Sequence, residues 1–304
     1  MLTVLIFGVL LYVTVSTGAD VVVLTTENRQ QEVTEFDLAN PSHKNRVHQH
    51  RKNPSGISYD PVEEKMYWAE PGAKAIYSSK VDESQHQTVH SNVNVYDVTV
   101  NIEGREVIYT DSRSISRISI KDHHVSTVVS HATGAIDIEY DPIDKHIYWS
   151  NFIGNVIEKC TYPAGQCSTL VKTPFPLNMA IDPKGKRLYW VSGSHEQVES
   201  IGLDGHNQRT EMSSNDDMYT ALDFYDGNLY VGVHNSKQAK IEKYDVNSRH
   251  TTTITTEDYR SYYDIAVSPK QGSGELCPLY CCSFQSLGYH GLSVAFENYT
   301  MRFT

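Results

Sequence analysis

The sequence predicts an all-β fold, a six-bladed β-propeller in which the two ends of the repeat region complete one composite blade. Three observations predict it. First, the segment Ile138–Asn151, IEYDPIDKHIYWSN, reads as a β-hairpin, with alternating apolar residues on either side of an Asp-Pro turn. Second, it recurs. ISYDPVEEKMYWAE starts at Ile57, VTVNIEGREVIYTD at Val98, MAIDPKGKRLYWVS at Met179 and a looser LDFYDGNLYVGV at Leu222. The anchors Tyr67, Ile108, Tyr148, Tyr189 and Tyr230 are separated by 41, 40, 41 and 41 residues, and a period near 40 made of short strands marks a repeat architecture. Third, the ends of the periodic region are complementary. Val21–Thr25 is a second-type strand with no first strand before it, and Tyr263–Ser268 is a first-type strand with no partner after it.

Each period holds two more strands. The third strand is represented by QEVTEFDL, KAIYSSKV, SISRISIK, NVIEKCTY, QVESIGLDG and AKIEKYDV, and a Thr-rich fourth by HQTVHS, VSTVVS, CSTLVK and HTTTIT. Four antiparallel strands per period, repeated six times, specify propeller blades. Pairing of the last strand with the first closes the ring and leaves no open sheet edge.

Residues 1–19 read as a secretory signal peptide, with the apolar run Leu2–Val15 followed by the small residues Ser16, Thr17, Gly18 and Ala19. The propeller is assigned to 20–270 and a cysteine-containing C-terminal tail to 271–304. The product is expected to be secreted and extracellular, with no membrane span. A formal net charge of −11 argues against nucleic acid and anionic membranes and favours a protein partner with a basic patch. Cys160 and Cys167 flank TYPAGQ and are expected to bridge neighbouring strands, while Cys277, Cys281 and Cys282 leave one thiol over. Asn298 opens a glycosylation sequon.

The segments MYWAE, VIYTD, IYWSN and LYWVS, with IGLDGHNQRT, resemble the YWTD signature of the low-density-lipoprotein receptor class B repeat family. The resemblance covers about Val21–Pro269 and implies a six-bladed propeller with this strand-swapped closure. It further implies binding of protein or peptide ligands on one face, in lipoprotein uptake, developmental signalling or basement-membrane assembly. The sequence departs from the family: no copy reads YWTD to the letter, only Trp68, Trp149 and Trp190 occupy the tryptophan position, and the tail has the wrong cysteine spacing for the usual growth-factor-like module.

Strand direction places the loops between strands two and three, and between blades, on one face. That face carries the candidate ligand-binding residues Glu70, Tyr96, Asp97, Asp111, Arg113, Asn151, Phe152, His195, Tyr219, His234 and Tyr263: aromatic anchors with a polar rim. The acidic residues closing the repeats, Glu70, Asp111, Asp141 and Asp182, are expected to tie blade to blade, and the Tyr-Trp pairs to pack between blades. His48, His50 and the pair His123-His124 are read as surface histidines rather than metal ligands. Fourteen histidines raise the idea of a pH-dependent surface.

No catalytic residue, metal or cofactor is expected. Nucleophile-elbow, zinc-protease and phosphate-loop motifs are missing, and the inner strands read as repetitive and apolar, unsuited to the channel chemistry of propeller hydrolases. The function expected is a secreted, non-catalytic, protein- or peptide-binding propeller. A matrix structural protein and, less well supported, a calcium-dependent hydrolase are the alternatives.

Overall fold

In the computed structural model the described residues are 21–269 without 28–30, 39–43, 50, 112, 164 and 259–261, together with the backbone of two short hairpins near the termini. Those hairpins pair Leu2–Ile6 with Val9–Val13 and Ser293–Phe296 with Tyr299–Arg302. Ser16–Ala19, Asn28-Arg29, His50, Cys277, Cys281, Cys282 and Asn298 lie outside the described residues.

Six four-stranded antiparallel sheets follow one another around an axis. Blades one to five span Ile57–Ser91, Asp97–Val129, Ala135–Lys172, Met179–Ser213 and Met218–Asp258. The sixth is composite. Tyr262–Pro269 pairs antiparallel with Val21–Glu27, setting Ile265 opposite Thr25 and Val267 opposite Val23, and Glu32–Asp37 and Lys44–His48 complete the sheet. The expected closure is therefore the observed one. Every blade carries a register shift between its third and fourth strands, after Val33, Ile76, Ile115, Ile157, Val198 and Ile241. One extra residue at this position increases the local twist of the outer strand.

The Tyr-Trp pairs are what holds blade to blade. Adjacent residues of a strand point to opposite faces, so one pair serves two interfaces. Trp68 packs with Leu24, Val33 and Val47 of the closing blade, whereas Tyr67 packs with Val98, Val100 and Tyr109 of blade two. Trp149 faces Ile108 and Ile115 of blade two, and Tyr148 faces Met179, Leu188 and Trp190 of blade four. Tyr189 then faces Leu222 and Val231 of blade five. All three Trp and these Tyr side chains are buried, each contributing about 2–3 kcal/mol from removal of apolar area from water.

The turns joining first to second strands repeat as well. Glu64, Arg105, Lys145 and Lys186 occupy the same left-handed position, with φ of 53°, 54°, 53° and 54°. The three basic ones reach the preceding blade. Arg105 pairs with Asp60 and Glu63, Lys145 with Glu103, and Lys186 with Asp144 at 2.8 Å. Apart from Arg105–Asp60, whose carboxylate is buried, the pairs are solvent-facing, so each adds little on its own.

The carboxylates closing the repeats act more locally than expected. Asp141 accepts the backbone N–H of Ile143 (2.7 Å) and Asp144, Asp182 that of Gly185, and Asp111 those of Arg113 and Ser114. These are Asx-type turns within one hairpin or loop, because a short side chain directly before a turn meets its own amides first. Glu70 does cross a junction: it accepts the Trp68 indole N–H (2.8 Å) and the Lys52 N–H, and it pairs with Arg51. Cys160 and Cys167 face each other across the hairpin between the third and fourth strands of blade three and form a disulfide.

Candidate functional site

The innermost strands are not apolar throughout, which corrects the sequence reading. In the frame position just before the apolar start of each first strand stand Gly56, Asp97, Asp137, Asn178, Ala221 and Asp264. Two residues further on, Glu139 and Asp223 add carboxylates. Their period-two placement looks like that of any solvent-facing residue; closure of the ring turns that edge toward the axis.

These side chains link the blades. Asp264 Oδ2 accepts the Ile57 N–H at 2.7 Å, Asp97 Oδ2 the Ile138 N–H at 2.8 Å, and Asp137 Oδ1 the Met179 N–H at 3.2 Å. Asn178 Oδ1 accepts the Leu222 N–H at 2.5 Å, and Asp223 Oδ2 the Val267 N–H at 2.6 Å. Five of the six junctions thus have a side-chain acceptor on a neighbouring backbone donor. The remaining one, from blade one to blade two, has Gly56. A Cβ there would lie 1.7 Å from Asp97 Oδ1, so the glycine makes room for the carboxylate.

Asn178 also spans the axis, donating through Nδ2 to Asp137 Oδ2 (2.8 Å) and Asp264 Oδ1 (2.9 Å). Asp97, Asp137 and Asp264 are buried around it. Burial, then mutual repulsion with Asp264, holds the Asp97 carboxyl well above the usual range. Burial and the nearby Asp97 and Asp264 do the same to Asp137, and burial with Asp223 the same to Glu139. Burial pushes Asp264 and Asp223 up to about 7. Among the described residues no group of three or more His, Cys, Asp or Glu has the arrangement to hold a metal ion.

A cavity of about 440 Å³ opens above this layer, on the face of the strand two-to-three and inter-blade loops. Of the sequence candidates it gathers Tyr96, Asp97, His195, His234 and Tyr263, joined by Tyr262 and Met218. Tyr263 is 48% exposed and Tyr96 41%, while His195 is fixed by Nδ1 lying 2.9 Å from the Tyr219 carbonyl. Phe152 and Phe175 form a second exposed aromatic pair, with ring centroids 5.1 Å apart, beside exposed Ile153. Arg113 is exposed on its own loop.

Four candidates are taken up by the fold. Glu70 is buried against Trp68, Arg51 and Lys52, and Tyr219 is buried in the contact between blades four and five. Asp111 caps its turn, and Asn151 accepts the Gly154 N–H while donating to Glu158. What sequence reasoning missed are Asp137, Asn178, Glu139, Asp223 and Asp264; their shared frame position was the available signal.

Burial holds the histidines with shifted titration below the free imidazole value. Burial, with His86 and Arg51 nearby, lowers His48 to about 4; its ring stacks on Trp68 at 4.8 Å and its Nε2 lies 2.8 Å from Ser79 Oγ. Burial also lowers His86 and His90. His48 is a core residue, not the surface residue expected.

No protein-family model matches the chain. Nidogen-2 of Mus musculus is 24% identical over 122 residues, which are 37% of this chain and 9% of that protein. The matched region therefore spans less than a tenth of the relative's length. Among solved structures, one titled as the crystal structure of a nidogen/laminin complex superposes with a TM-score of 0.72 at 16% identity, covering 83% of this chain and 99% of that one. TolB from Acinetobacter baumannii superposes with a TM-score of 0.66 at 15% identity, over 83% and 67% of the two chains. With the observed closure, these likenesses show the six-bladed propeller fold.

Proposed function

We propose that this YWTD-type propeller is the ligand-binding unit of a secreted extracellular-matrix protein, non-catalytic, taking a protein or peptide at the channel mouth between the inter-blade loops. One observation carries the reading: Tyr96, His195, His234 and Tyr263 converge on a single cavity whose floor is the layer of Asp97, Asp137, Asn178 and Asp264. Exposed aromatic rings around a recessed polar centre are the composition of an interface hot spot. The carboxylate-rich floor favours a partner that inserts an amide, ammonium or guanidinium group. Phe152 and Phe175 extend the surface outward along blades three and four.

The likenesses to nidogen, one of them in a structure with laminin, favour a matrix partner over lipoprotein uptake. The test immobilises the full chain, passes purified laminin over it, and in parallel captures partners from extracellular medium. A saturable partner whose capture falls about tenfold or more on Tyr263→Ala, and less on Phe152→Ala, supports the reading. Undiminished capture by both variants contradicts the face assigned here.

A further inference from the structure

Below the Asn178 layer the channel widens into a second cavity of about 960 Å³, opening on the face of the Asp-Pro turns. It is separate from the mouth discussed above, and its size suits a small organic molecule. Its inner wall carries Glu139 and Asp223, with Asp97, Asp137 and Asp264 behind them. Tyr59, Tyr140 and Phe224 are also among its lining residues.

Charge in this cavity is unbalanced. Among the described lining residues the one basic side chain is Lys184, which is exposed in the turn at the rim. The other inner carboxylates accept backbone or Asn178 N–H groups, as described. Glu139 differs: among the described residues no hydrogen-bond donor reaches its carboxylate, although it faces the cavity. Glu139 is half-buried, and a partly desolvated carboxyl group without a protein donor is costly; the neighbouring Asp223 adds repulsion.

We propose that this lower cavity is a binding site for a small organic ammonium ion of the polyamine class, its charged nitrogen placed between Glu139 and Asp223 and its methylene chain against Tyr59, Tyr140 and Phe224. An ammonium group supplies the donors that Glu139 lacks and a charge that offsets both carboxylates. Electron-rich rings receive such cations favourably. A divalent metal fits less well, since the described carboxylates do not converge with metal-ligand geometry.

The test uses the full chain with spermidine as probe, followed by isothermal titration calorimetry. The expected result is one saturable site. Its affinity falls about tenfold or more in Glu139→Gln and in Asp223→Asn, as loss of a charge-assisted contact requires, while both variants still unfold in one cooperative transition no lower than that of wild type. In wild-type protein, carbodiimide labelling of Glu139 and Asp223, mapped by peptide mass, should slow when spermidine is bound; this readout needs no variant to fold. No saturable binding, wild-type affinity in both variants, or unchanged labelling would overturn the proposal. So would displacement of spermidine by calcium at equal concentration. Because Tyr263→Ala alters only the opposite mouth, spermidine binding by that variant should be unchanged, which separates this outcome from the fate of the matrix-binding reading.

Discussion

Asn178 donates to Asp264 across the channel axis at 2.9 Å, joining the start of blade four to the strand that closes the ring. The same amide holds Asp137 at 2.8 Å and receives the Leu222 N–H at 2.5 Å, so one side chain ties blades three, four, five and six.

Replacing it should cost more than a surface change. Asn178→Ala removes one donor from each of two buried carboxylates and leaves the Leu222 N–H without its acceptor, a loss of about 2–4 kcal/mol. Urea unfolding at neutral pH measures it. Asn178→Asp should be worse at pH 8 than at pH 5, since it adds a carboxylate to an already repulsive cluster. A mutant as stable as wild type at both pH values would show that the amide is not the keystone.

Asp223 makes stability fall as pH rises. Its carboxyl titrates at about 7 in the fold against about 3.9 in an unfolded chain. Between those values the folded state holds a proton that the unfolded state has released, so unfolding becomes easier with increasing pH and levels off above 7. Asp223→Asn keeps the acceptor for Val267 and removes the charge. It should gain about 1–3 kcal/mol relative to wild type at pH 7.5 and little at pH 4.5. Denaturant midpoints across that range check it, and a constant difference would contradict the assignment.

His48 acts in the opposite sense. Held at about 4 by burial against about 6.5 when free, it favours unfolding as pH falls from 6.5 toward 4, because only the unfolded state takes up the proton readily. Protonation would place a cation beside Arg51 and His86 within the Trp68–Tyr77 stack. His48→Gln should flatten this acid limb while costing stability at pH 7 through lost stacking. An unchanged acid limb would remove His48 as its cause.

Much of the architecture was legible because repetition multiplies weak signals. Tyr67-Trp68, Tyr148-Trp149 and Tyr189-Trp190 fall in one frame, and the unpaired strands at the two ends call for each other. The side of the ring carrying Tyr96 and Tyr263 followed from strand direction alone. The axial carboxylates were not recognised, for a physical reason. Glu139 in a first strand has the alternation of a solvent-facing residue, and only the closed ring makes its face a channel wall. Asp97 was placed in a loop at the mouth, whereas it accepts the Ile138 N–H inside. Glu70 and Tyr219 were assigned to the surface by loop position, although their side chains turn inward and are buried.

The central functional claim is that one end of the channel, framed by Tyr96, His195 and Tyr263, receives the partner. Hydrogen–deuterium exchange of the full chain with its captured partner tests this most directly. Protection is predicted in the peptides containing Ser55-Gly56, Tyr96-Asp97, Leu177-Asn178 and Tyr262–Asp264, and not in the turns at Pro61-Val62 and Pro142-Ile143. Protection confined to those turns on the opposite face would contradict it.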